Sequence, residues 1–263
     1  MVGYVLRLTA LQNWEEGDIA MKHKDFLIQL TGWIILLLLI ISPAILSAKS
    51  IWGAGKTVTI QKDFQDFDKV EISSAFKARI LQGKMYNVTL QVDEDLRDYI
   101  VVEKRGRTLH IGLKNHRSRC NGPLEAEITM PDIGELGLSG ASSAVLEGFS
   151  FKHDLVLNLS GASRVEGLIE TGNLDLNLSG ASNVTLKGRG ENLLIHASGA
   201  SNVRMGDFCC NDANLYLSGA SNCVINIDGE MDVRASGSSK VKYCGEGEIG
   251  TVESSGFSRV SRL

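Results

Sequence analysis

The sequence is short of proline, of aromatic residues and of positive charge. Three prolines in 263 residues cannot punctuate many turns, and the 28 glycines take that role. Aromatics make up 6% of the chain, so its core must be aliphatic. Lys and Arg number 27 against 31 Asp and Glu, a net charge of −4. That balance argues against a nucleic-acid partner, whose binders show a basic patch or stripe. The five cysteines are Cys120, Cys209, Cys210, Cys223 and Cys244. None has a CxxC or Cys/His metal spacing. An exported chain could pair them as disulfides, but an odd count leaves one over. Cys223 stands where other repeats carry Val or Ala, and reads as a small buried apolar residue. No metal and no cofactor is expected.

One apolar run stands apart. Residues 26–46 (FLIQLTGWIILLLLIISPAIL) carry no charge, and 21 residues suffice to span a bilayer as a helix. Lys22, His23 and Lys24 precede it, which favours a cytoplasmic N-terminus with the rest outside. A permanent anchor is the favoured reading, and a cleaved secretory signal ending near Ser47–Ser50 is the rival. Met21 opens a natural n-region, so residues 1–25 read as a cytoplasmic tail or partly as a mis-assigned start. Residues 47–56 form a short linker.

From residue 57 to 130 the pattern changes to short alternating runs: Val58–Ile60, Lys69–Ile72, Ala78–Leu81, Asn87–Val92, Thr108–Leu113 and Glu125–Met130. Alternation with period two, bounded by Gly, Asn and Asp, predicts half-buried strands in a β-rich lead-in. Asp93–Ile100 predicts one helical turn or a loop.

Residues 131–263 carry a repeat. The phrase SGAS, twice relaxed to SGSS and SGFS, begins at Ser139, Ser160, Ser179, Ser198, Ser218, Ser236 and Ser255, in steps of 18 to 21 residues. Each is followed by its glycine: Gly140, Gly161, Gly180, Gly199, Gly219, Gly237 and Gly256. Such a period marks a stacked-repeat architecture. Three residues before each serine stand Leu136, Leu157, Leu176, Ile195, Leu215, Val233 and Val252, and the residue just before it is also mostly apolar. Between them stand Gly137, Asn158, Asn177, His196, Tyr216, Arg234 and Glu253. This is the apolar-in, polar-out order of a strand. Five residues after each serine come Ala144, Val165, Val184, Val203, Cys223, Val241 and Val260. Each unit therefore reads as strand, corner, second short strand and looser connection. The expected fold is all-β: a single-stranded parallel β-helix of about seven coils of about 19 residues, behind the β-rich lead-in. The glycines turn the corner with positive φ. The alanine after them implies tight space, and two serine columns satisfy backbone groups or one another. An antiparallel sandwich is the alternative, disfavoured because SG is not a two-residue hairpin turn.

The opening spacing Phe64, Phe67, Val70, Ile72, followed by the LSGAS coils, resembles the putative auto-transporter adhesin, head GIN domain family (DUF2807). The resemblance spans roughly residues 58–262. It implies a right-handed β-helical or β-rich surface domain with no established catalytic residues, and an adhesin role. The apolar N-terminal segment departs from an autotransporter, and no stretch reads as a translocator barrel.

A search for chemistry finds little. Glycosidases on β-helices need two convergent carboxylates about 5–10 Å apart. Here Glu253 lies on the outward column, Glu147 and Glu166 follow corners, and Glu135, Asp175 and Asp232 are expected to point inward or lie at an edge. None converge. His196 is alone, and a serine repeated seven times is not a nucleophile. The best candidate site is a recognition strip on the outer column: Asn158, Asn177, His196, Tyr216 and Arg234. Asn87, Asn158, Asn177 and Asn183 are glycosylation sequons, and glycans at Asn158 and Asn177 would cover that strip. The reading is a membrane-tethered or secreted surface protein, non-enzymatic, that holds a membrane through residues 26–46 and binds surface glycans or proteins. A carbohydrate-active enzyme and a sensor ectodomain are the alternatives.

Overall fold

The computed structural model describes residues 56–114 and 122–263. All of them belong to one compact unit, Ser50–Leu263. The apolar run 26–46, the tail before it and most of the linker lie outside the described residues. Among the described residues no helix is long and apolar enough to cross a membrane.

The lead-in holds β1 (Thr57–Lys62), β2 (Lys69–Ile72), β3 (Lys77–Gln82), β4 (Asn87–Asp93), β5 (Ile100–Arg105), β6 (Thr108–Leu113) and β7 (Leu124–Met130). A 3-10 helix at Glu94–Tyr99 is the helical turn that Asp93 starts, its carboxylate accepting from the Asp95 N–H. The repeats follow as strand pairs. They are β8 (Glu135–Leu138) with β9 (Ser143–Ser150), β10 (Leu155–Leu159) with β11 (Arg164–Glu170), β12 (Leu174–Leu178) with β13 (Asn183–Arg189), and β14 (Asn192–Ala197) with β15 (Asn202–Cys210). Then come β16 (Asp212–Leu217) with β17 (Asn222–Ile227), β18 (Glu230–Ala235) with β19 (Lys240–Cys244), and β20 (Glu248–Ser254) with β21 (Arg259–Arg262). The second strand of most pairs is the longer one, against the short strand expected.

Two sheets result. An 11-stranded sheet runs β1-β4-β7-β3-β9-β11-β13-β15-β17-β19-β21, and a 10-stranded sheet runs β20-β18-β16-β14-β12-β10-β8-β2-β6-β5. From β8 and β9 onward every neighbour pairs in parallel, each coil lying on the one before. The protein is an all-β solenoid of about six turns. Seven coils were expected from seven corners, but seven corners bound only six wraps of chain.

The lead-in is continuous with the solenoid. β2 lies between β6 and β8, and β3 lies between β7 and β9, all in parallel. The coil made first along the chain is thus second in the stack. Antiparallel β5 and the antiparallel pair β1–β4 close that end.

The aliphatic columns fill the space between the sheets. Leu136, Leu157, Leu176, Ile195, Leu215 and Val233 are at most 1% exposed. Each such side chain contributes about 1.5–3 kcal/mol by burial, against about 0.5–1.5 kcal/mol for one hydrogen bond. The columns therefore hold the stack, and the corners set its geometry.

Each corner glycine has φ between +71° and +75°. The next residue's N–H donates to the glycine carbonyl one layer back, at 2.7 Å from Ala162 to Gly140 through Phe257 to Gly237. A Cβ on Gly161, Gly180, Gly199, Gly219 or Gly237 would stand 2.4–2.5 Å from that oxygen. Glycine is needed twice, for its dihedral and for its missing side chain. The alanine is different: Ala162, Ala181, Ala200 and Ala220 face solvent, and Phe257 occupies the same place 89% exposed. Tight space does not explain alanine there. The two serines also differ. The second is buried, and from Ser163 to Ser258 its hydroxyl donates to the first serine's carbonyl at 2.7–2.9 Å. Hydroxyls bond the corner backbone and not one another. Ser142 is buried with no partner for its Oγ.

Candidate functional site

The outward face of the ten-stranded sheet brings all five strip residues together. Asn158, Asn177, His196, Tyr216 and Arg234 are opposite one another on β10, β12, β14, β16 and β18. Parallel, in-register layers about 4.8 Å apart make this column a ladder in which each side chain meets the next. Asn158 Nδ2 donates to Glu135 Oε1 at 2.9 Å, and Asn177 Nδ2 donates to Asn158 Oδ1 at 3.1 Å. The His196 ring stacks on Tyr216 at 4.7 Å and 12° between planes. The Arg234 guanidinium lies 5.7 Å from the centre of the Tyr216 ring. Arg234 Nε then donates to Glu253 Oε2 at 3.1 Å.

This geometry decides what the strip offers. His196 covers one face of Tyr216 and Arg234 covers the other, so a ligand meets ring edges and polar tips. The groups presented are amides, an imidazole, a phenol and a guanidinium. They suit hydrogen bonding better than ring-face stacking.

Two shallow grooves interrupt the face. One of about 390 Å³ is lined by Asn177, His196, Tyr216 and Arg234 with Ser179 and Ser198. The other, about 370 Å³, lies where Gly137 breaks the ladder. Its polar walls are Glu71, His110, Glu135 and Asn158. The Glu71 side chain leans across Gly137, where a Cβ would come 3.2 Å from its Cγ. His110 Nδ1 lies 2.9 Å from Glu71 Oε2. Lys69 Nζ lies 2.7 Å from Glu135 Oε2, and this pairing holds the Lys69 ammonium above the usual lysine range. Lys69, Glu71 and His110 come from the lead-in, and sequence reading missed them. Alternation placed them on an outward face, but nothing local said which layer they join.

The carboxylates are arranged otherwise than expected in one respect. Glu135, Asp175 and Asp232 face outward beside the strip, because the residue four before each serine shares parity with the residue two before. Inward positions are Leu155, Leu174 and Met231 instead. Glu147 is bound by Arg79 at 3.0 Å, and that hydrogen bond pulls its carboxyl below the usual range. Glu166 lies 4.0 Å from Arg164. Both sit on the other sheet, away from the strip.

The sequon asparagines Asn87, Asn158, Asn177 and Asn183 all lie in strands and are half-buried. A glycan on Asn158 or Asn177 would displace the ladder bonds just described. Cys209, Cys210, Cys223 and Cys244 are free thiols. Cys209 and Cys244 are both opposite Asn226, two layers apart. At about 9.6 Å for two layers that is beyond disulfide reach. Burial pushes the Cys210 thiol up to about 12 and raises Cys223 further, so Cys223 is the small buried apolar residue expected. Among the described residues no group of three or more His, Cys, Asp and Glu is placed to hold a metal ion.

The family model described as "Putative auto-transporter adhesin, head GIN domain" (DUF2807) matches residues 66–247. The chain belongs to this family. Solved structures share the DUF2807 solenoid fold at low identity. A putative adhesin from Bacteroides fragilis has a TM-score of 0.74 at 17% identity, covering 81% of this chain and 100% of that one. A putative lipid binding protein from Parabacteroides distasonis has a TM-score of 0.67 at 18% identity, covering 82% and 100%. A putative adhesin from Parabacteroides merdae has a TM-score of 0.63 at 16% identity, covering 81% and 99%. The comparison with curated proteins gives no match.

Proposed function

We propose that this DUF2807 protein is a non-enzymatic, adhesin-like surface module that binds glycans or proteins through the outer face of its ten-stranded sheet. One observation carries the reading. Five side chains on five consecutive layers make one polar ladder, flanked by grooves, on a sheet too regular to rearrange. A rigid face loses little entropy on binding, so modest polar contacts suffice. Family membership supports the adhesin role and an extracytoplasmic place for the solenoid. The run 26–46 supplies the membrane tether in this reading, and one chain winds as a right-handed helix.

A second reading has its own support. Glu71 and Glu135 line one groove beside His110 and Asn158, the residue types of a glycoside-cleaving site. Both carboxylates already have partners, His110 for Glu71 and Lys69 with Asn158 for Glu135, which suits binding better than proton transfer. The two readings separate in one experiment. The full chain is screened against arrayed glycans and surface proteins, and each captured ligand is recovered and weighed by mass spectrometry. Adhesion returns ligands unchanged. Shortened oligosaccharides that vanish with Glu135→Gln would establish the enzyme instead.

A further inference from the structure

The two ends of the solenoid are unlike. At one, β1, β4 and β5 cross over in antiparallel fashion and close the stack. At the other, β20 and β21 are the last rung of each sheet, and among the described residues no strand pairs with their outer edges. β20 is exposed along its whole length. Its inward-facing Ile249 and Val252 are 41% and 42% exposed, where their counterparts one layer back, Met231 and Val233, are at most 1%. Phe257 and Leu263 are 89% and 66% exposed. Four of the seven exposed large hydrophobic residues thus gather on this one end.

Charge is sorted there as well. On the β20 side Glu248 is opposite Glu230, two carboxylates on adjacent rungs. On the β21 side Arg259 is opposite Lys240, two cations on adjacent rungs. All four are exposed, and none has an ion-pair partner among the described residues. Like charges directly opposite cost stability. A neighbour that brought the opposite sign to each edge would remove that cost on both.

We propose that the β20–β21 end docks on the same end of a second copy, as a closed two-fold dimer. A molecule with one closed and one open end cannot stack head to tail, so self-association stops at two. Two symmetry axes are available to such a pair. An axis normal to the sheets would set β20 on β20 and β21 on β21, like charge on like. An axis along the strands sets each acidic β20 on the partner's basic β21, antiparallel and twice over. The charges select the second arrangement. It also covers Ile249 and Val252 and supplies backbone partners to both edges. Arg262, which lies over the Tyr243 ring and donates to the Gly245 carbonyl, points inward from β21. An inward charge and the bulge opposite Asp232 in β20 are edge-blunting features that oppose indefinite stacking. A dimer would also present two strips at once, which raises avidity.

The test is light scattering on the full chain in mild detergent, with far-UV circular dichroism to confirm folding. The wild type is expected to be a dimer at micromolar concentration. Glu248→Arg and Arg259→Glu singly weaken it at least about tenfold, because each places like charges together twice. The double swap restores it. If a swap unfolds the chain, Glu248→Gln and Arg259→Gln probe the same contacts more gently. A monomeric wild type overturns the proposal. So does a dimer that neither single swap nor neutral variant weakens, since detergent-embedded segments or another face would then be holding it.

Discussion

Gly180→Ala should cost well over what Gly148→Ala costs, and the difference measures how tightly the layers stack. Both glycines have positive φ, +71° at Gly180 and +78° at Gly148. An alanine forced into that region loses about 1–2 kcal/mol. At Gly148 nothing lies within 4 Å of the new Cβ, so that is the whole effect. At Gly180 the Cβ meets the Gly161 carbonyl oxygen at 2.5 Å and two more backbone atoms at 3.2 Å. Backbone cannot swing aside as a side chain can. The oxygen is also held by the Ala181 N–H at 2.7 Å, and prising layers apart loosens that bond. Overpacking of this kind adds about 1–3 kcal/mol, for a total of about 2–5 kcal/mol. Any gain from stiffening the unfolded chain is common to both variants and cancels. Gly140 should behave like Gly148, because its nearest new contact is Ser74 N at 3.4 Å. The assay is urea denaturation followed by far-UV circular dichroism. Equal losses at Gly180 and Gly148 would refute the stacked-corner geometry.

Other expectations follow from the same corners and their flanks. Ser201→Ala removes a buried hydroxyl that donates to Ser198 at 2.8 Å and should cost about 0.5–1.5 kcal/mol; Ser142→Ala, which removes an unpartnered one, should be neutral or stabilising in the same melts. His153 is held above the usual histidine range: desolvation pulls it down, but hydrogen bonds to Asp154 and Asp132 outweigh it, Asp132 at 2.6 Å. Its stabilising contribution is therefore full below about pH 6.5 and is lost as pH rises through the folded value, so melting temperature should fall across that window and flatten in His153→Gln. Cys210 and Cys223 should resist thiol reagents in the folded chain while Cys209 and Cys244 react, read by site-mapped mass spectrometry; labelling of Cys223 without denaturant would contradict its buried place.

The sequence shows the solenoid because every coil repeats the same local demand. Leu157, Leu176 and Ile195 recur at one offset, and only stacking can bury all of them. β2 and β6 are legible to the residue, since alternation is a local signal. Their places in the stack are not legible, because β2 enters between β6 and β8 through contacts distant in sequence. β5 went unread: Ile100-Val101-Val102 has no alternation, and the helical turn before it masks the start. The strip was legible as a column of varying polar residues. Its internal bonding was not, since Asn158 with Glu135, or His196 on Tyr216, depends on register fixed only in three dimensions. The grooves were hidden for a related reason. Gly137 looked like one more variable position, and Glu71 and His110 lie 66 and 27 residues before it.

The adhesin-like role stands or falls on one comparison. Ligand captured by the wild-type chain from arrayed glycans and surface proteins is compared with that captured by two variants. One carries His196→Ala, Tyr216→Ala and Arg234→Ala on the strip, and the other carries Asn202→Ala and Asn222→Ala on the opposite sheet. Loss of binding in the first variant alone, with both variants folded, is the predicted result. Binding that survives the strip variant, or fails only in the opposite-face variant, would contradict the assignment of recognition to this face.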